Sequence, residues 1–257
     1  MKPALLHFDR TPVADFAALV DGFPDKELCS PTRSNIPLLA MVRQDGPVLN
    51  EILAATRMPA GAFRHFEFTV PPPVGRGYPS CSDLMLCAGT DSLAVEAKWT
   101  EPRYERVGSW LAQGKDPANR EAVLAGWLGL LQPHATRSLK IGDFSACIYQ
   151  LVHRAASACA AASSAGSPRF IYLIFRSAET MASAHYGQSD LHVLWECLGR
   201  PAGFPFFFVE VPLAPSPAFA AIADLPKRQL KTAPRLRSAL LGEPLFVFGA
   251  PLIHRLA

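Results

Sequence analysis

Aromatic and β-branched residues crowd FRHFEFTV, residues 63–70, and the run stops at Pro71-Pro72-Pro73, which predicts a strand. Residues 82–101, SDLMLCAGTDSLAVEAKWTE, read as two short apolar strands around a turn. RFIYLIF, residues 169–175, is an unbroken apolar run of strand length, the pattern of a strand buried on both faces. Helical spacing appears in residues 46–57, where Pro47 suits a first turn and Val48, Leu49, Ile52 and Leu53 form one stripe. Two helical segments broken near Gly114–Pro117 follow the hairpin. An Ala-rich helix is predicted over 144–166, ending at Gly166 with Pro168 beyond. LHVLWECLG reads as a further helix and FPFFFVEVP as a further strand. A meander followed by crossover helices predicts an α/β domain, a mixed sheet flanked by helices. No repeat or low-complexity linker divides residues 1–257, so one domain is expected.

The hairpin carries charges that such a pattern does not need. With Gly89-Thr90 as a two-residue turn, glycine first as a type II′ turn prefers, Cys87 pairs with Ser92, Leu84 with Val95 and Asp83 with Glu96. Alternation then puts Asp83, Met85, Cys87, Ala94, Glu96 and Lys98 on one face. Leu84, Leu86, Leu93, Val95, Ala97 and Trp99 form the other, wholly apolar face. Carboxylates facing each other across a sheet, with Cβ atoms about 5 Å apart, repel unless something lies between them. A hard divalent cation fills that role, and a lysine two residues from the glutamate adds the positive charge that phosphodiester chemistry needs. The competing reading makes Asp83 a cap at a solvent-facing strand start and leaves Glu96 and Lys98 as ordinary solvated residues.

Composition narrows the alternatives only a little. The chain has 257 residues, 49% hydrophobic and 18% charged, so it can bury a sizeable core. A net charge of +3 points to no particular partner. Arginine outnumbers lysine by 18 to 7, which suits bidentate contacts with phosphate or carboxylate. The six cysteines form no C-x-x-C pair, the histidines show no H-x-x-x-H or H-x-H spacing, and no Walker A or G-x-S-x-G string occurs. Met1–Arg10 lacks an apolar h-region and no apolar run reaches membrane-spanning length. A reduced, cytoplasmic protein with no membrane partner is the expectation.

On Ser82-Asp83 and Glu96-Ala97-Lys98, set in this order of elements, the chain resembles the PD-(D/E)xK nuclease superfamily, the restriction-endonuclease-like phosphodiesterases. The resemblance implies an αβββαβ core over about residues 45–176, a helical insertion at about 104–136 and a C-terminal elaboration over 177–257. It implies Asp83, Glu96 and the Ala97 carbonyl as ligands of Mg²⁺ or Mn²⁺, with Lys98 activating water or stabilising charge. Glu51 matches the glutamate that members often add from the first helix, with Glu67 and Glu101 as weaker substitutes. Ser82 stands where proline is usual. Several branches place a Q-L-x-x-Y pattern on the crossover helix; Gln150-Leu151-Val152-His153-Arg154 supplies the glutamine but has Arg154 in place of tyrosine. Gln150 and Arg154, four apart on one helix face, are candidates for contacting phosphate.

The implied partner is nucleic acid, DNA ahead of RNA, with a homodimer left open. The implied activity is phosphodiester hydrolysis; a catalytically silent member of the same fold, binding nucleic acid or protein, is the alternative. Finally, KRQLKTAPRLR, residues 227–237, places five cations in eleven residues. It reads either as a solvated surface segment or as a phosphate-tracking arm that includes Arg235 and Arg237, with Pro234 keeping a helix from continuing past Ala233.

Overall fold

Two short strands, β1 (Leu6–Phe8) and β2 (Thr11–Pro12), begin the computed structural model at a sheet edge that the sequence pattern does not signal. The structure describes residues 5–44, 46–113, 115–178, 187–225 and 232–256. Three helices follow: α1 (Phe16–Gly22), α2 (Asn35–Gln44) and α3 (Pro47–Ala55). The meander is β3 (Phe63–Val70), β4 (Ser80–Ala88) and β5 (Asp91–Lys98). Next come α4 (Val107–Ala112), α5 (Pro117–Leu131) and α6 (Tyr149–Ala161), then β6 (Pro168–Arg176), α7 (Gln188–Cys197) and β7 (Phe206–Pro215). The chain closes with α8 (Pro217–Ala223), α9 (Thr232–Leu241), β8 (Phe246–Phe248) and β9 (Leu252–Arg255).

The strands form one mixed sheet in the order β2-β1-β3-β4-β5-β6-β7-β8, with β9 also pairing β7. β3, β4 and β5 are mutually antiparallel, whereas β5, β6 and β7 run parallel, as crossover helices require. Cys87 pairs with Ser92 and Leu84 with Val95, and Gly89 takes the positive φ (57°) that a glycine-first turn needs. Strand alternation sorts the side chains into two cores. Leu84, Leu86, Leu93, Val95 and Ala97 pack with α2, α3, α8 and α9 on one face. Met85, Ala94, Phe170, Tyr172 and Ile174 pack with α5, α6 and α7 on the other. β6 is buried on both faces, as its unbroken apolar run predicts.

Two helices differ from the sequence expectation at their boundaries. Helix α6 begins at Tyr149 instead of 144, because the residues before it serve as an extended partner: Ile148 bridges Arg106, and Val107 N–H donates to Cys147 O at 2.8 Å. The helix stops at Ala161, after which Ser163 N–H donates to Thr90 O at 3.1 Å. Pro234 does not end a helix; it lies in the first turn of α9, where its missing N–H costs no intrahelical hydrogen bond. The far end of α9 is held by Arg43 of α2, whose guanidinium donates to the carbonyls of Leu240, Leu241 and Gly242 at 2.6–2.9 Å.

Candidate functional site

The β4–β5 ladder ends at Leu84–Val95, one step short of the pairing that simple register places between Asp83 and Glu96. Beyond that point the Asp83 carboxylate takes over from the backbone, with Oδ2 accepting the Ala97 N–H at 2.7 Å. The N–H and C=O of one strand residue point to the same edge, so the Ala97 carbonyl also opens toward Asp83. A second interruption lies opposite. The β3–β4 ladder skips Glu67 and Asp83, and Glu67 holds a positive φ of 52° within a strand. Backbone strain of this kind costs a non-glycine residue about 1–3 kcal/mol. Side-chain sense inverts across it, since Phe66 packs in one core and Phe68 and Val70 in the other. The twin interruption directs carboxylates from adjacent strands into one cleft.

That cleft, about 220 Å³, is lined by Glu67, Asp83, Glu96 and Lys98 from the sheet, Gln150 and Arg154 from α6, Asn35 at the start of α2 and Arg33 and Ser34 just before it. Glu96 is fully buried, at 0% exposure, and both of its oxygens are held by cations. Lys98 Nζ lies 2.7 Å from Oε1 and Arg154 Nε lies 2.6 Å from Oε2. Lys98 and Arg154 are themselves only 7% and 8% exposed, so the charged face of the hairpin is largely closed to solvent, and Asp83 is more open than Glu96. Burial raises the Asp83 pKa, and repulsion from Glu96 raises it further. Burial opposes ionisation of Glu96, but Lys98 and then Arg154 outweigh it and hold the carboxyl below its ordinary range. The same attraction raises Lys98 against its own desolvation.

Behind Arg154 the polar network continues. Its Nη1 donates to Ser80 Oγ at 2.9 Å, and Ser80 meets His153 Nδ1 at 2.9 Å and Ser157 Oγ at 2.8 Å. Burial first, then Arg154 and Lys98, push His153 well below its ordinary pKa, so it is neutral. This network fixes the guanidinium that faces Glu96. Gln150 shares the helix face with Arg154 as its spacing predicts, and its Oε1 is buried without a hydrogen-bond partner. Ser82 is also buried with an unpartnered Oγ.

Other candidates are placed elsewhere. Glu51 is exposed on α3 and does not line the cleft, because Val48, Leu49, Ile52 and Leu53 take the inward stripe of that helix. Glu101 does line it but is occupied as a staple, accepting Ser34 N–H at 2.6 Å and Trp99 N–H at 2.9 Å. Arg237 is a tether, with Nη1 on Asp25 Oδ1 at 2.7 Å and Nη2 on Phe23 O at 2.6 Å. Arg235 is exposed on α9. Lys227, Arg228 and Lys231 of the predicted arm lie outside the described residues.

Glu67 carries a charge signature of its own. Burial raises its pKa from 4.5 to about 6, partly offset by the Cys81 thiol, which donates to Oε2 at 3.1 Å. The folded protein therefore keeps a proton that the unfolded chain has already released. The associated stability is complete below pH 4.5 and is lost as pH rises through about 6. In EDTA, Glu67→Gln is expected to remove about 2 kcal/mol of this loss. Urea denaturation at pH 4.5 and 7.5 reads it as a difference between the two proteins; identical pH slopes would exclude it.

A family model described as a domain of unknown function (DUF6946) matches residues 15–203. The chain belongs to the DUF6946 family. No curated protein and no solved structure matches it. The DUF6946 match runs from α1 past α7, so it contains every residue of the cleft and stops just before β7.

The donors fit a divalent cation in part. Five carboxylates line the cleft of this DUF6946 protein against three cationic side chains, a formal excess of two negative charges. Among the described residues, Asp83 is hydrogen-bonded only through Oδ2, and Gln150 Oε1 has no partner. Glu96 is committed to two cations and would have to exchange one of them. Among the described residues no group of three His, Cys, Asp or Glu side chains surrounds a single metal position.

Proposed function

We propose that the cleft is the active centre of a metal-dependent phosphodiesterase acting on nucleic acid, built on a restriction-endonuclease-like core. The observation that carries this reading is the Asp83 carboxylate set into the opening between β4 and β5, on the face that also bears Glu96 and Lys98. Asp83, Glu96 and the Ala97 carbonyl would hold Mg²⁺ or Mn²⁺. Such an ion, when bound, supplies Lewis-acid polarisation of the phosphate and a more acidic water. Lys98 stays protonated because its pKa is raised, so its role is to stabilise negative charge on the phosphate and not to take a proton from water. Arg154, fixed by Ser80, keeps Glu96 ionised and oriented.

The silent-fold reading draws on one observation: Lys98 and Arg154 already neutralise Glu96. Mn²⁺ titration calorimetry with a cleavage assay on single-stranded DNA, duplex DNA and RNA separates the two. Binding at millimolar Mn²⁺ or tighter, weakened at least about tenfold by Asp83→Asn, is expected together with cleavage that EDTA abolishes. Absence of Mn²⁺ binding would leave the silent-fold reading standing.

A further inference from the structure

A second cavity of about 360 Å³ opens beside the acidic cleft and shares Cys81, Gln150 and Arg154 with it. Its volume lies within the range of small-ligand pockets. Its chemistry differs from that of the cleft: the lining contains Arg76, Arg120 and Arg154, no carboxylate, and the aromatic residues Tyr78, Tyr104, Trp110, Trp127 and Tyr149. Trp110 stacks on Tyr149 with centroids 3.8 Å apart and planes at 12°, and Arg120 lies 4.8 Å over Trp110. Tyr149 and Arg120 thus both pack on the Trp110 ring, so the wall is a preassembled stack of aromatic rings and one guanidinium.

The lip of this cavity is the 71–79 loop, and it is held in place. Asn119 of α5 closes a reciprocal pair with Arg76, accepting its N–H and donating to its carbonyl, both at 2.8 Å. Gly75 has φ of 78° and lies so close to α5 that a Cβ there would sit 2.7 Å from Val123. On this anchored loop Tyr78 is 97% exposed, so it contributes almost nothing to the core. Tyr104 faces the same opening and is also exposed. Two solvated aromatic rings over a preformed π-wall, with arginines and without acids, match a planar aromatic group attached to an anion.

We propose that this cavity takes an unpaired nucleobase of the strand whose phosphodiester lies in the adjacent cleft, so that the substrate is single-stranded or locally opened nucleic acid. The inference rests on the proposed phosphodiesterase reading for the occupant of the cleft, and it adds the substrate class. Base–aromatic stacking tolerates any base, whereas a paired base inside a duplex presents no free face.

The test uses an oligonucleotide carrying one 2-aminopurine, single-stranded or annealed to its complement, titrated in EDTA so that no cleavage occurs. Quenching of 2-aminopurine on binding, with the single strand favoured over the duplex, is expected. Tyr78→Ala should weaken single-strand binding about tenfold and reduce the quenching, while Tyr78→Phe retains both. Because Tyr78 is solvated, both variants should fold normally. Equal affinity for the duplex, or a Tyr78→Ala protein that binds and quenches like wild type, overturns the pocket. A protein that stacks the base in EDTA yet cleaves nothing with Mn²⁺ keeps the pocket and loses the phosphodiesterase reading. One that cleaves with Mn²⁺ but ignores Tyr78→Ala does the reverse.

Discussion

Arg154→Met is expected to destabilise the folded protein by about 3–5 kcal/mol, the range for breaking one side of a buried ion pair. Glu96 has no exposure to water, so it cannot recover by solvation the hydrogen bond that Arg154 Nε supplies. Lys98 would remain on Oε1, leaving Oε2 buried and bare, whereas the Ser80 hydroxyl that Arg154 also contacts would keep His153 and Ser157. Methionine keeps much of the side-chain volume, so the loss is electrostatic and not a cavity. The double variant Glu96→Gln, Arg154→Met should regain a large part of the difference, because no charge is then stranded. Urea denaturation of the two single variants, the double variant and wild type measures the coupling directly. A strictly additive double variant would show that Glu96 and Arg154 do not act as a pair.

Lys98→Met is expected to lower single-turnover cleavage about 10²–10³-fold, the loss typical of removing one preorganised stabiliser of developing charge. Mn²⁺ affinity should change far less, because no oxygen donor is removed. Lys98→Arg, which preserves the charge, should restore part of the rate. The raised Lys98 pKa adds a second readout: the lysine remains charged below its ordinary value of 10.5, so its deprotonation contributes no limb to a rate profile between pH 6 and 9. A Lys98→Met enzyme with the wild-type rate would remove the lysine from the chemistry.

Much of the placement of this site is legible in the sequence, and the reason lies in periodicity. A period of two and one glycine-led turn suffice to pair Leu84 with Val95 and to separate the apolar face from the charged one. Gln150 and Arg154 meet the sheet together because four residues make one helical turn. What periodicity cannot carry is a departure from it. The positive φ of Glu67 is a single-residue event inside an otherwise regular strand, and it turns a weak substitute ligand into a lining residue. Glu51 lies outside the cleft for the opposite reason: helix α3 keeps its regular stripe, which points that residue outward. Arg237 reads as part of a basic run, yet its partners Asp25 and Phe23 lie more than two hundred positions earlier. Local charge density says nothing about a contact at that distance. The start of α6 was displaced likewise by a bridge to Arg106 across the inserted helices.

The parallel pairing of β6 with β7 has a consequence for where the chain can be cut. The family match ends at residue 203, and β7 begins at Phe206. A fragment trimmed to that limit would keep every cleft residue but lose the strand that hydrogen-bonds to residues 170–176. It would also strip α8 and α9 from the apolar face beneath β5 and β6. The remaining edge, FIYLIF, is β-prone, uncharged and free of proline, the composition that templates self-association between chains. The segment after residue 203 therefore shields this edge, and a fragment lacking it is expected to self-associate.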